Sequence, residues 1–181
     1  MLCGSEDFDP KQEAGLFERI VSQALEGGLI ADAVIATLSR QRSELWKIRE
    51  DSETEMQLFE VMIDFDVSLP VTSMEDFFND VQPRLDEEVA GHLGLHVLGP
   101  LGDGNLHLST GLPTRDSKDQ LRPLAYALIA RYGGSISAEH GIGVAIRDYL
   151  HYSRSPAELA TMRLLKGALD PKGILNPGKV I

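Results

Sequence analysis

The chain opens with two segments in which apolar residues recur at helical spacing. Residues 11–27 predict the first helix, whose apolar positions share one stripe: Leu16, Phe17, Ile20, Val21, Ala24 and Leu25. Gly27 and Gly28 follow that stripe and favour the end of the helix. A second helix is predicted from residue 39 to about residue 53. The short run DAVIA at 32–36 between the two is typical of a strand.

The middle of the chain alternates between apolar and polar residues and then returns to helical spacing. Residues 61–70 predict a half-buried strand that ends at Pro70. Its two faces are Val61, Ile63, Phe65, Val67 and Leu69 on one side, and Met62, Asp64, Asp66 and Ser68 on the other. Ser73 and Asp76 have the spacing of a capping box and predict the start of a helix. That helix stacks Phe77, Phe78, Val81, Leu85 and Val89.

Two further strands are predicted at 94–99 and 105–112, joined by the glycine-rich turn PLGDG. Residues 121–132 predict a helix, and Ser155 followed by Pro156 is a typical start for the last one. Strands separated by helices and by one hairpin predict an α+β fold. The expected architecture is an antiparallel sheet with helices packed on one face, followed by a C-terminal helix and tail.

Composition and charge narrow the class of protein. The length of 181 residues suits one domain over residues 1–181, and 43% of the residues are hydrophobic. Asp and Glu outnumber Lys and Arg by 28 to 17, so the net charge is -11. Because phosphate binding needs clustered Lys and Arg, we expect neither nucleic acid nor a membrane surface as a partner.

The location of the protein is predicted from its cysteine content and its start. Cys3 is the only cysteine, which favours a reducing compartment. The first residues do not resemble a signal peptide, and no apolar run approaches the ~20 residues of a spanning helix. A cytoplasmic location is therefore expected.

Three segments carry side chains suited to chemistry. In LGDGNLHL, Asn105 and His107 share one face of the predicted strand. In SAEHGIG, Glu139 and His140 could serve as a metal ligand and a general base, because imidazole exchanges protons near neutral pH. In LWKIRE, Arg49 could clamp a carboxylate. On spacing alone, a β-turn, a solvated acid–histidine pair and a surface arginine are the more frequent explanations.

The C-terminal segment LDPKGILNPGKVI is rich in proline and glycine and cannot continue a helix. A poorly ordered tail is the simple expectation for such a segment. Against this, Ile174 and Leu175 within it are apolar and would gain from cover.

Five segments together resemble the C-terminal part of the FAD-linked oxidases of the vanillyl-alcohol-oxidase type. They are LWKIRE, DVSLP, LGDGNLHL, GGSISAEHGIG and LDPKGILNPGKV, in that order and over nearly the whole chain. The similarity is to the branch of D-2-hydroxyglutarate dehydrogenase, D-lactate dehydrogenase and the glycolate oxidase flavin subunit. It implies a ferredoxin-like cap domain that works beside a separate FAD-binding domain. Residues 1–181 do not resemble that second domain, so a truncated or split protein is expected, inactive and without retained FAD as this chain alone.

The resemblance also implies roles for individual residues. A small D-2-hydroxyacid would give its C2 hydride to the flavin while His140 takes the hydroxyl proton. Arg49 and Asn105 would bind the substrate. Glu139 and Asn176 would lie at the cofactor.

The metal site implied by the resemblance departs from the family at one ligand. Relatives hold a divalent metal, often zinc, through two histidines and a glutamate. His107 and Glu139 are retained here, whereas Pro100 stands at the third ligand position. Two protein ligands would bind a metal only weakly, since a catalytic zinc takes three. His96 has the right strand parity, but four residues along a strand span ~13 Å. Asp64 stands where relatives often carry a lysine, which weakens the expected attraction for a carboxylate.

Two other functions stay open. A non-catalytic partner domain would dock on a FAD-binding subunit in trans, or form a homodimer through an apolar surface. A small metal-dependent hydrolase would use His107, Glu139 and His140. Flavin absorbance, oligomeric state and metal content would separate these functions.

Overall fold

The structure, a computed structural model, divides into two compact units, Met1–Glu55 and Met56–Ile181. It describes residues 2–4, 10–50, 59, 61–89, 91–100, 102–114 and 117–181. Within this described part of the chain, no helix is both long enough and apolar enough to cross a membrane.

The first unit contains two helices, α1 at Pro10–Glu26 and α2 at Ser39–Glu50. Both helices are predicted by the apolar spacing. Gly28 has a φ of 67° directly after α1, a left-handed conformation that ends the helix as expected. The predicted extension of α2 to residue 53 lies outside the described residues.

The prediction of a strand at 32–36 is wrong, because this segment is irregular. The Asp32 carboxylate accepts a hydrogen bond from the backbone N–H of Ala33 at 2.8 Å, a local bond that competes with strand pairing. Val34 is 85% exposed, so its β-branched side chain gains nothing from burial. A short apolar run without a neighbouring strand does not form one.

The second unit is built on a three-stranded antiparallel sheet. Its elements are β1 at Val61–Ser68, α3 at Met74–Glu88, β2 at Leu93–Leu98, β3 at Asn105–Leu112, α4 at Ser117–Arg131 and α5 at Pro156–Leu169. Short 3-10 helices lie at Val71–Ser73 and Arg147–Tyr152. The strand order is β1-β3-β2, with β3 in the centre. This arrangement confirms the predicted α+β fold and its antiparallel sheet.

One face of the sheet forms the core together with α3 and α4. The inward positions of β1 are buried as their alternation predicts, and Leu106 and Leu108 of β3 join them. The helices contribute the buried residues Phe77, Val81 and Leu85 from α3, and Leu121, Tyr126 and Ile129 from α4. Because helices cover this face, the polar residues Asp64 and Asp66 of β1 and Asn105 and His107 of β3 lie on the opposite one.

The two predicted helix caps have different outcomes. Ser155 forms a capping box with Glu158, whose backbone N–H donates to the Ser155 hydroxyl at 3.3 Å. The Ser155 backbone N–H donates in return to the Glu158 carboxylate at 2.8 Å and lowers the pKa of that carboxyl group. The cap predicted at Ser73 is wrong, since its side chain accepts no bond from the helix. A 3-10 turn leads into α3, so Ser73 has helical dihedral angles and its hydroxyl is not placed over the helix end.

The C-terminal tail is anchored, contrary to the expectation of a poorly ordered segment. The Asp170 carboxylate accepts hydrogen bonds from the backbone N–H groups of Ile174 at 3.0 Å and Leu175 at 2.9 Å. Lys166 donates to the same carboxylate at 2.6 Å and also to the carbonyl of Leu175. The side chains of Ile174 and Leu175 stay exposed, so hydrogen bonds rather than burial fix the tail.

We expect this anchor to open in acid. The hydrogen bond from Lys166, followed by that from Leu175, holds the pKa of Asp170 below its ordinary value of 3.8. A group with a lowered folded pKa stabilises the fold above its ordinary pKa, and this contribution is lost as pH falls through the lowered value. Hydrogen exchange should therefore show protected amides at Ile174 and Leu175 near neutral pH and unprotected ones in acid.

The variant that tests this prediction is Asp170→Asn, which should remove the protection of the Ile174 and Leu175 amides from hydrogen exchange at every pH. Asp119→Asn in α4 makes the same charge change away from the tail and should leave the protection intact. Equal protection of the two amides in acid and at neutral pH would show that the carboxylate does not hold the tail.

Candidate active site

The open face of the sheet brings polar residues of two strands together. In the antiparallel register, Asp66 of β1 is directly opposite His107 of β3, and Ser68 is opposite Asn105. Cross-strand partners project to the same face of a sheet. This face is the one that α3 and α4 leave open, so strand alternation and the register between β1 and β3 together place Asp66, His107 and Asn105 side by side.

A loop after α4 adds two more side chains to this face. Ser135 forms an isolated antiparallel bridge with Ser68, which fixes the start of the loop against β1. Further along, the backbone N–H groups of Glu139 and His140 both donate to Oδ2 of Asp66, at 2.8 and 2.6 Å. One carboxylate oxygen of Asp66 therefore holds the turn that carries the acid–histidine pair.

The side chains of these elements converge. Ligand atoms of Asp66, His107 and Glu139 all lie within 4.8 Å of one another. Nδ1 of His107 is 3.8 Å from Oδ1 of Asp66, and Nε2 of His107 is 4.0 Å from Oε2 of Glu139. Nδ1 of His140 is 3.5 Å from Oδ2 of Asp66, and the two histidine rings are 6.0 Å apart. We call Asp66, His107, Glu139 and His140 the Asp66 cluster.

Two side chains at this site have buried polar atoms that form no hydrogen bond with any described residue. Oδ1 of Asp66, on a side chain that is 8% exposed, has no hydrogen bond from any described residue. The amide of Asn105 is equally without a partner in the described chain, although Asn105 is 4% exposed. Leaving such groups unpaired costs ~1–3 kcal/mol each. A bound cation at Asp66 and a polar ligand at Asn105 would remove these costs.

The third ligand position that the resemblance implies, Pro100, lies just beyond the end of β2. Leu98 is the β2 residue opposite His107, and Pro100 follows two residues later. Its ring offers no ligand atom, as the sequence indicates. His96 pairs with Ser109 across the sheet, one pleat repeat away from Leu98. Within the described residues, the set of side chains that could share a metal ion is Asp66, His107 and Glu139, without His96.

The two remaining candidate residues, Arg49 and Asn176, are not members of the Asp66 cluster. Arg49 belongs to α2 of the first unit, and its side chain lies outside the described part of the structure. Asn176 is an exposed residue of the tail with a φ of 45°. It lies between the Asp170 anchor and Gly178, whose carbonyl accepts a hydrogen bond from Arg147 at 2.9 Å.

Sequence reasoning missed Asp66 as a site residue. Alternation places Asp66 on the polar face of its strand, but Asp64 has the same parity and the same charge. What separates the two is the register with β3, since Asp64 is opposite Ser109 and Asp66 is opposite His107. A one-dimensional pattern does not contain that register.

Comparison with known proteins identifies the family of this chain. The family described as FAD linked oxidases, C-terminal domain, matches residues 1–180. D-2-hydroxyglutarate dehydrogenase, mitochondrial, of Arabidopsis thaliana is 38% identical over 180 residues, which is 98% of this chain and 31% of that protein. The protein of the same name from Rattus norvegicus is 37% identical over 173 residues, 93% of this chain and 31% of its own length. D-2-hydroxyglutarate dehydrogenase of Stutzerimonas stutzeri is 34% identical over 177 residues, 94% of this chain and 37% of its own length.

The chain belongs to the family of FAD linked oxidases, as a C-terminal domain. It spans about a third of the length of the curated relatives that it matches. One expectation is corrected by this comparison. The predicted cytoplasmic location is contradicted by relatives from Arabidopsis, rat and cattle, all of which are named as mitochondrial. The residue pattern failed here because a single cysteine does not distinguish among reducing compartments.

Proposed function

We propose that this chain is the substrate domain of a FAD-dependent D-2-hydroxyacid dehydrogenase. The observation that carries the proposal is the convergence of the Asp66 cluster beside the unpartnered amide of Asn105. Imidazole and carboxylate donors around a buried, unpaired oxygen are suited to a divalent cation and a small anionic ligand. The names of the relatives add the substrate class, since they act on D-2-hydroxyglutarate or D-lactate.

The donor set fits a divalent metal such as zinc. His107 offers a ring nitrogen, while Glu139 and Asp66 offer carboxylate oxygens, all within 4.8 Å. A cation held there would polarise the hydroxyl and carboxylate oxygens of a 2-hydroxyacid. The amide of Asn105, one pleat repeat from His107 on the same strand face, would hydrogen-bond a substrate oxygen.

His140 is the general base of this proposal. Its Nδ1 is 3.5 Å from Oδ2 of Asp66, which favours the tautomer with the proton on Nδ1. Nε2 is then an acceptor, and the side chain is 73% exposed, so a substrate can reach it. His140 would take the hydroxyl proton as the C2 hydride leaves.

The tail offers a contact to the edge of a flavin rather than a complete cradle. FAD would supply the hydride acceptor for this oxidation. Asn176 is presented on a backbone fixed on one side by Asp170 and on the other by Arg147. These are few contacts for a large cofactor, so we expect the purified chain to retain no flavin by itself.

The test is complementation in trans. The purified chain is mixed with FAD and with the part of the Stutzerimonas relative that the chain does not cover, and reduction of an electron-acceptor dye is followed. We expect dye reduction with D-2-hydroxyglutarate in the complete mixture, and none with the L enantiomer. The chain with FAD alone should be inactive and show no flavin absorbance after gel filtration.

Binding gives a second readout, independent of assembly with another protein. In the presence of zinc, calorimetric titration of the chain should show tighter binding of D-2-hydroxyglutarate than of glutarate, which lacks the hydroxyl group. Equal affinity for these two acids, together with no dye reduction in the complete mixture, would exclude the proposed function.

The exposed apolar surface of α5 favours a second candidate, a partner domain without catalysis. Leu164, Leu165 and Leu169 of α5 are 70%, 52% and 80% exposed, and Ile174 and Leu175 follow in the tail. Such a surface would be covered by a FAD-binding domain in trans or by a second copy of the chain. A dimer in light scattering, combined with no hydroxyacid binding, would favour this candidate over the dehydrogenase.

A further inference from the structure

The metal site that the resemblance implies lacks one protein ligand in this chain. The structure holds another side chain that could bind the metal in its place. By the resemblance, Pro100 stands where relatives have a histidine ligand, and His107 and Glu139 stand at the other two ligand positions. A catalytic zinc uses three protein ligands and one open position. The third member of the cluster in the structure is Asp66, which comes from a different strand than the lost ligand.

The two oxygens of Asp66 have different surroundings. Oδ2 accepts the backbone N–H groups of Glu139 and His140, so this oxygen is used in holding the loop. Oδ1 is buried and has no donor among the described residues, and it lies 3.8 Å from Nδ1 of His107. A carboxylate can hold a loop with one oxygen and bind a cation with the other.

We propose that Asp66 is the third protein ligand of the divalent metal in this chain, in place of the histidine that Pro100 removes. The inference rests on the proposed function only in placing a metal at His107 and Glu139. Asp66 thereby has two roles: it positions His140 through Oδ2 and binds the cation through Oδ1.

The distances allow a shared ion after a small movement. With metal–ligand bonds of ~2.0–2.2 Å, two ligand atoms of one ion are at most ~4.4 Å apart. Asp66 and His107, both fixed on strands, already satisfy this limit at 3.8 Å. The cluster as a whole spans up to 4.8 Å. The side chain of Glu139 is 58% exposed and can rotate, so its carboxylate can move toward the other two ligands to share one ion.

The donor set makes the site more anionic than one with two histidines. A site with one imidazole and two carboxylates carries one more negative charge, and carboxylate oxygens favour manganese and magnesium more than imidazole does. We therefore expect the preference of this chain for zinc over manganese to be smaller than that of its Pro100→His variant, which would offer a second imidazole. Competition titration of the two metals on both proteins measures this difference.

The decisive variant is Asp66→Asn. Its amide oxygen can still accept the N–H groups of Glu139 and His140, while its NH₂ group replaces the free oxygen and cannot bind a cation. We expect the affinity for zinc, measured by calorimetry on the whole chain, to fall by at least ~10-fold. The control is Asp64→Asn, which removes the same charge from the same strand face and should change the affinity by less than ~3-fold.

The outcomes separate the ligand role from a general charge effect and from misfolding. Unchanged zinc affinity in Asp66→Asn would overturn the proposal, and so would an equal loss in Asp64→Asn. X-ray absorption of the unmodified, zinc-loaded chain needs no variant, and it should show one imidazole with the other ligands oxygen. Two imidazoles at the zinc would overturn the proposal.

These measurements do not depend on flavin or on turnover. If zinc binds through Asp66 but the complete mixture reduces no dye, the proposed function fails and the ligand assignment stands. If the complete mixture reduces the dye but zinc binding does not depend on Asp66, the proposed function stands and the ligand assignment fails.

Discussion

His140→Gln is expected to lower kcat for D-2-hydroxyglutarate oxidation in the complemented enzyme by ~10²–10⁴-fold, the usual contribution of a positioned general base. Glutamine keeps a hydrogen-bonding side chain but cannot accept the hydroxyl proton. Because the proton moves only in the transition state, KM should change little while kcat falls.

The matched control for this change is His151→Gln. His151 is an exposed histidine of the 3-10 helix Arg147–Tyr152, and its Nδ1 lies 3.0 Å from the carbonyl of Asp148, outside the Asp66 cluster. Activity of this variant should stay within ~2-fold of the unmodified chain, because His151 is not part of the Asp66 cluster. A surface substitution of this kind also changes stability little. A His140→Gln enzyme that keeps its kcat would remove His140 from the role of base.

Gly104→Ala is expected to lower the free energy of unfolding of the second unit by ~2–4 kcal/mol. Gly104 has a φ of 81°, a left-handed conformation that an alanine adopts only with strain. A Cβ atom there would lie 2.3 Å from the carbonyl oxygen of Leu69, which is backbone and cannot rotate away. The N–H of Leu69 also donates to the carbonyl of Gly104 at 2.9 Å, so a shift would break that bond as well.

The same turn offers its own control in Gly102→Ala. A Cβ atom on Gly102 meets nothing within 4 Å and requires no left-handed backbone. We expect this variant to change the free energy of unfolding by less than ~0.5 kcal/mol, as for other surface positions. Urea denaturation of both variants gives the comparison. Similar stability of the two alanine variants would show that the contact between Gly104 and Leu69 does not constrain the turn.

The turn that contains Gly104 also positions residues of the candidate active site. Gly104 directly precedes β3, the strand that carries Asn105 and His107. Asp103 accepts the backbone N–H of Asn105 at 2.9 Å and so helps to start the strand. Displacement of Gly104 would therefore move the two site residues of β3 relative to Asp66, and zinc affinity should fall together with stability in Gly104→Ala.

The secondary structure was predictable where burial and local pattern agree. The alternation of 61–70 gives β1 because one face packs under two helices, and the Ser155–Glu158 box forms because its partners are three residues apart. The two wrong predictions of secondary structure, the strand at 32–36 and the cap at Ser73, have a tertiary and a local cause respectively. Residues 32–36 have strand-like composition but no neighbouring strand in the described structure, and Ser73 is drawn into a 3-10 turn that precedes α3.

The chain by itself determined the chemistry that each segment brings. Its residues supply the imidazoles of His107 and His140, the carboxylate of Glu139 and a proline, Pro100, at the third ligand position that the resemblance implies. Resemblance over five segments predicted the family, and the comparison confirms it.

Only the tertiary structure decided how these groups combine. The pairing of β1 with β3 sets Asp66 opposite His107, and two backbone N–H groups bring Glu139 and His140 to the same carboxylate from 73 and 74 residues away in sequence. Strand alternation fixes the face on which a side chain lies, whereas register and loop closure fix its neighbours. These long-range contacts depend on the packing of the whole unit, and for this reason Asp66 is visible as a site residue only in three dimensions.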